Sequence, residues 1–163
     1  MAPIRERLHA AERMEAQARC MREIGFLSWL GMDCGKDWNS DCCNDCNSRA
    51  FCADRYMTYE MQMRDLFAAS KAEYEACAAE LRDMVSSDPT EESMQLLAQA
   101  VLDDNCHAFQ EDTPRSELFW EAQYWYLRLY FTFHKQEYLK KAKMQEAFRR
   151  AVVRCLGKGG EQI

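Results

Sequence analysis

The cysteines of one short segment are the residues in this sequence best suited to chemistry. Five of the nine cysteines lie within residues 33–52, DCGKDWNSDCCNDCNSRAFC, and the other four are scattered. The five are Cys34, Cys42, Cys43, Cys46 and Cys52. Thiols this close together can form disulfides, ligate a metal ion, or remain reduced as small apolar side chains. Each alternative predicts a different role for the segment.

Zinc is one alternative for these thiols. Cys43 and Cys46 have the two-residue spacing of a zinc half-site, and Cys34 with Cys52 could complete a tetrahedral thiolate set. The second pair is widely spaced, however, and no histidine occurs between residues 10 and 106. Zinc is therefore the second choice, as the cofactor of a protein- or anion-binding module. The leading interpretation has no cofactor.

Disulfide bonds are the first choice, and reduced thiols are the third. Bridges from Cys34 to the group at residues 42–46 would hold together the two helices that flank the segment. Loops this short give at most about 2–4 kcal/mol of stabilisation for each bridge. Disulfides require an oxidising compartment. Reduced thiols fit this segment less well, because a polar loop offers them little apolar surface.

The spacing Cys42-x9-Cys52 resembles half of the twin motif of coiled-coil-helix-coiled-coil-helix proteins. The resemblance covers eleven residues, and a second Cys-x9-Cys is absent. It implies oxidation in the mitochondrial intermembrane space and a role as an assembly factor or accessory subunit of a respiratory complex. A cytoplasmic location is the alternative.

No arrangement of residues typical of an active site is visible in the sequence. The segment from Asp37 to Ser48 lacks the glycine and glutamate of a calcium loop, and Cys46 is not followed by the histidine of a haem attachment motif. Phosphate loops and dinucleotide fingerprints are absent. Cys43 and Cys46 have a dithiol spacing but not the strand–helix context of thioredoxin-like enzymes. We expect a protein without enzymatic activity.

Apolar periodicity and helix-capping residues predict an all-α fold of four helices in a single domain, residues 1–163. The first two helices form a hairpin through a cysteine-rich elbow, and Pro89 and Pro114 mark the starts of the last two. The predicted ranges are 3–32 for the first helix, 33–47 for the elbow, 48–86, 89–107 and 114–156 for the other helices. No transmembrane helix is expected, because no run of eighteen apolar residues occurs.

The fourth predicted helix carries an aromatic block, LFWEAQYWYLRLYFTF, at residues 118–133. Helical spacing places its apolar residues in three adjacent rows, and a protein this small can cover two of them but hardly three. A continuous helix over 114–156 would be roughly 65 Å long and should project from a small bundle. We therefore expect an interface here. Its predicted anchors are Trp120, Tyr124, Trp125, Tyr126, Tyr130 and Phe131.

The net charge of −6 hides a basic end and an acidic middle. Residues 128–158 carry nine Lys or Arg against Glu137 and Glu146. Lys140, Lys141 and Lys143 are the predicted electrostatic contacts, either to protein or, peripherally, to anionic lipid. No nucleic-acid-binding motif is present, so nucleic acid is not an expected partner. The expected function is a structural accessory subunit of a larger assembly, with a mitochondrial inner-membrane respiratory or ATP synthase complex as the first choice.

Overall fold

A computed structural model describes residues 2–30, 49–111 and 116–160. These residues form five α-helices and no strand. The helices are α1 (Ala2–Leu30), α2 (Arg49–Ser87), α3 (Glu91–Glu111), α4 (Ser116–Phe133) and α5 (Gln136–Gly160). The all-α prediction is confirmed, and the number of helices is corrected from four to five. The chain separates into two compact units: residues 10–70, and residues 1–9 with 71–163.

Within residues 10–70, α1 and α2 run antiparallel. Ser70 Oγ donates a hydrogen bond to the Ala11 carbonyl at 3.0 Å, and Tyr59 Oη donates one to the Met21 carbonyl further along the pair. Helix α2 carries an apolar stripe whose members follow at steps of three or four residues. In this unit the stripe faces α1 and consists of Tyr59, Met63, Phe67 and Ser70. Ser70 is the polar member of that stripe, and its hydrogen bond satisfies a hydroxyl that is fully buried.

The end of α1 is bent at Gly25, where the backbone has φ 75° and ψ 168°. Only glycine adopts such a conformation without steric cost. Beyond the bend, Phe26 is buried and packs edge-on against Tyr56, with ring centroids 5.4 Å apart. Met21, Phe26 and Tyr59 form the buried cluster there. The bend therefore closes the core of this unit.

Within the other unit, α4 packs against both α3 and α5. Its core includes Leu81 of α2, Leu97 of α3, Leu129 of α4 and Ala142 of α5, all 1 % exposed or less. Ion pairs attach the first turns of α1 to α3 and to the second half of α2. Arg5 contacts Glu92 at 2.6 Å, and Arg7 contacts both Glu73 and Glu80.

The start of α3 differs from the prediction by two residues. The predicted helix begins at Pro89, whereas α3 begins at Glu91 and its capping residue is Thr90. Its Oγ1 accepts a hydrogen bond from the Ser93 amide at 3.1 Å, and Ser93 Oγ accepts one from the Thr90 amide at 3.0 Å. This reciprocal pair is a capping box in which serine takes the usual place of glutamate, and it satisfies two amides that the helix leaves unpaired.

The single long helix predicted over 114–156 is wrong. His134 has φ 56°, and its amide donates to the Tyr130 carbonyl at 2.7 Å, which is the left-handed ending of an α-helix. The chain then reverses and α5 packs antiparallel to α4, since Phe119 meets Phe148 with ring centroids 5.8 Å apart and Lys141 lies over the Tyr126 ring. The two helices pack on each other instead of forming one helix of roughly 65 Å.

Candidate docking interface

Helix α4 presents the three apolar rows that its sequence predicts, and two of them are used by the fold. The two rows consist of Leu118, Ala122, Trp125 and Leu129, and of Phe119, Tyr126, Tyr130 and Phe133. Each of these side chains is buried or partly buried. They face α3 and α5, the helices against which α4 packs.

The third row of α4 is largely exposed. It consists of Trp120, Tyr124, Leu127 and Phe131, which we call the aromatic row. Trp120 is 59 % exposed, Tyr124 45 % and Phe131 68 %, whereas Leu127 is partly buried. Large aromatic side chains that share one face and remain this exposed are typical of a binding surface.

Neighbouring rings hold the aromatic row in place. Trp120 stacks on Tyr124 with centroids 6.4 Å apart, and Tyr124 meets Trp125 edge-on at 4.9 Å. At the other end of the row, Phe131 lies edge-on to Tyr130 at 5.3 Å. Such ring pairs contribute about 0.5–1.5 kcal/mol beyond their area burial and restrict the rotamers of exposed rings. The row is therefore partly ordered before any partner binds.

A bidentate ion pair beside the aromatic row ties α4 to α2. Arg82 Nε and Nη2 donate to the two carboxylate oxygens of Glu121 at 2.7 and 2.8 Å. Trp125 Nε1 donates to the same carboxylate at 3.5 Å. Burial raises the pKa of Glu121, but the hydrogen bonds from Arg82 and its positive charge outweigh burial, so the pKa lies below its ordinary value of 4.5.

This lowered pKa predicts that the Glu121 pair stabilises the fold only above acidic pH. Because the folded-state pKa lies below the unfolded value, the contribution is complete above about pH 4.5 and is lost as pH falls through the folded pKa. We expect Glu121→Gln to cost about 1 kcal/mol at neutral pH, since Arg82 is partly exposed. Denaturant unfolding at pH 7 and in acid measures both effects, and an equal cost at the two pH values would contradict this prediction.

The remaining predicted anchors, all on α4, differ in burial. Trp125 and Tyr130 are partly buried in the covered rows. Tyr126 is 1 % exposed and is corrected from an interface anchor to a core residue. Burial, together with the charge of Asp103, raises the pKa of Tyr126 to about 12. The helical spacing alone could not separate Tyr126 from its exposed neighbours, because all three rows are equally apolar.

Two of the three predicted lysine contacts are available on the surface. Lys140 and Lys143 are exposed. Lys141 is partly buried, and its Nζ lies 5.5 Å from the centroid of the Tyr126 ring. This cation–π contact links α5 to α4, so Lys141 serves the fold rather than an external partner.

The cysteine-rich elbow lies outside the described residues. Cys34, Cys42, Cys43 and Cys46 belong to that segment, and Cys52 falls in the first turn of α2, where side chains are not described. Among the described cysteines, Cys20, Cys77 and Cys155 are unbonded thiols. In the part of the chain that the structure describes, no cluster of His, Cys, Asp or Glu could hold a metal ion. The disulfide and zinc hypotheses therefore both remain predictions.

Sequence reasoning missed other exposed apolar residues. Met57 and Met61 of α2 are 58 % and 59 % exposed, and a shallow groove beside Met61 is lined by Thr58, Gln62, Asp65, Leu66 and Ala69. On α5, Met144 and Phe148 are 53 % and 46 % exposed. The available signal was their helical positions outside the buried stripes of their own helices.

The comparisons with known proteins do not assign a family. No protein-family model matches the sequence, and neither the curated proteins nor the solved structures give a significant match. Across the described residues, no helix is both long enough and apolar enough to cross a membrane.

Proposed function

We propose that this chain is a non-catalytic structural accessory subunit that docks onto another protein of a larger assembly through the aromatic row of α4. The observation that carries the proposal is the exposure of Trp120, Tyr124 and Phe131 on a helix whose other apolar rows are buried. Tryptophan and tyrosine are enriched among the residues that dominate binding energies at protein interfaces.

The support beneath the aromatic row suits a docking surface. Binding costs free energy when side chains and loops become ordered at the interface. Here the rings stand on a helix that packs on α3 and α5 and is tied to α2 by the Arg82–Glu121 pair. A partner would therefore bind a surface that needs little reorganisation. More of the free energy gained by burying the rings would then contribute to the binding affinity.

We place the assembly at the mitochondrial inner membrane, on the intermembrane-space side, as a respiratory or ATP synthase complex. The support is the Cys42-x9-Cys52 spacing and its resemblance to half of the coiled-coil-helix-coiled-coil-helix motif. The alternative is a zinc-stabilised protein- or anion-binding module in the cytoplasm, which the Cys43-x2-Cys46 spacing favours. The two proposals differ in the chemistry of the elbow.

Intact mass measurement of the native protein decides between these elbow chemistries. If the elbow is disulfide-bonded, we expect the mass to lie two hydrogens below the reduced value for each bridge, with the elbow thiols resistant to alkylation. If it holds zinc, we expect one additional zinc ion, and its removal by a chelator should unfold part of the helical structure. Full alkylation of all five thiols in a metal-free protein would contradict both.

Native electrophoresis of the tagged protein in its own cells tests the docking proposal. The wild-type chain should migrate within a larger assembly. Changing Trp120 and Phe131 should release it, whereas changing Met57, an equally exposed apolar residue, should not. Release by the Met57 variant as well, or a wild-type chain that migrates alone, would contradict the proposal.

A further inference from the structure

The exposed side of α5 combines an apolar row with a cationic row. Met144, Phe148, Ala151 and Cys155 follow one another at steps of four, three and four residues and are all exposed. Beside them lie Lys140, Lys143, Arg150 and Arg154, also exposed. At 1.5 Å per residue, the cationic row extends over about 21 Å. We call the two rows together the α5 face.

Helix α5 carries many more basic residues than acidic ones. Residues 136–160 carry seven Lys or Arg and only two acids. Glu146 pairs with Arg150 at 2.7 Å, and Glu137 lies in the first turn, where the helix dipole favours an acid. Lys140, Lys143 and Arg154 of the α5 face are exposed and lie outside that ion pair. Their surroundings complement an anionic surface.

We propose that the α5 face binds the surface of an anionic lipid bilayer. A helix with this pattern lies in the plane of the interface, with its apolar row in the headgroup boundary and its cations at the phosphates. Lysine side chains suit this position because their methylene stems reach along apolar surface while the ammonium groups stay hydrated.

The composition of the α5 face favours lipid over an acidic protein. Protein interfaces are depleted of lysine and enriched in aromatic residues. The aromatic row of α4 matches that description, whereas the α5 face carries four cations, two of them lysines, and a single aromatic ring. The inference uses a different helix from the proposed docking surface and does not depend on it.

Sedimentation of the full chain with lipid vesicles tests this inference. Vesicles of equal parts phosphatidylcholine and phosphatidylserine should bind the protein, and pure phosphatidylcholine vesicles should not. Each Lys near an anionic surface contributes roughly fivefold to partitioning, so the double variant Lys140→Gln/Lys143→Gln should bind about 25-fold more weakly. High salt should abolish binding because it screens these charges. Met144→Gln should weaken binding severalfold without changing the helical content.

The matched control removes the same charge from elsewhere. Arg13→Gln/Arg64→Gln changes two exposed cations of other helices and should leave vesicle binding unaltered. An equal loss in this control, equal binding to neutral vesicles, or no binding to anionic vesicles would overturn the inference. Binding of polyglutamate that depends on Lys140 and Lys143, without vesicle binding, would assign the α5 face to an acidic protein instead. No partner subunit is present in these assays, so their result is separate from that of the docking proposal.

Discussion

Tyr126→Ala is expected to lower the free energy of unfolding by about 3–5 kcal/mol, the range for truncating a large buried aromatic side chain. Tyr126 is 1 % exposed and lies on the side of α4 that meets α5, where Lys141 contacts its ring. The truncation would leave a cavity between two helices and remove the cation–π contact. Urea unfolding monitored by circular dichroism measures the change. If the slope of the unfolding free energy against urea concentration equals that of the wild type, the unfolded state is unaltered.

Phe131→Ala is the matched control for this result. It removes an aromatic side chain of similar size from the same helix, but Phe131 is 68 % exposed and touches chiefly the Tyr130 ring. We expect its cost to stay below about 1 kcal/mol. If the two substitutions destabilised the protein equally, the placement of Tyr126 in the core and Phe131 on the surface would be wrong.

Trp120→Ala and Phe131→Ala are each expected to weaken docking by about 30-fold or more, which corresponds to about 2 kcal/mol. Both side chains are more than half exposed in the isolated chain, so most of their apolar surface is still available for burial by a partner. Truncating them removes that burial and leaves the folded core unchanged. The measurement is the dissociation constant of the isolated assembly partner, determined by titration with each variant.

The pattern across variants distinguishes docking from general instability. Met57→Ala, at 58 % exposure on α2, should leave the dissociation constant within about twofold of wild type. Tyr126→Ala should weaken docking only in proportion to the fraction of unfolded protein. A dissociation constant insensitive to Trp120 and Phe131 would exclude the aromatic row as the docking surface.

Helix formation, and the face that α2 buries, could be predicted from the sequence. The stripe of α2 from Tyr59 to Leu81 repeats at steps of three and four residues, and a pattern this regular admits one buried face. Ser70 belongs to this stripe by its spacing, and its hydrogen bond to the Ala11 carbonyl explains how a hydroxyl is accommodated there. Local periodicity suffices for such assignments because the spacing of apolar residues decides which face of the helix is apolar, and the apolar face is the one that is buried.

The break between α4 and α5 could not be read from the sequence, because no glycine or proline marks it. His134 occupies the left-handed conformation at the helix end, where glycine is the usual residue, and packing of α5 against α4 compensates the local cost. Similarly, α3 begins two residues after Pro89, because Thr90 and Ser93 form the capping box at its start.

For the candidate interface as well, some features can be predicted from the sequence and others depend on tertiary packing. The three apolar rows of α4 and the basic character of α5 can be read from the sequence alone, because helical spacing and charge are local properties. Tertiary packing places Tyr126 in the core with Lys141 partly buried over its ring, while Trp120, Phe131, Lys140 and Lys143 remain exposed. The physical reason is that the rows of α4 are equally apolar, so their burial depends on where the chain reverses and which side α5 then covers.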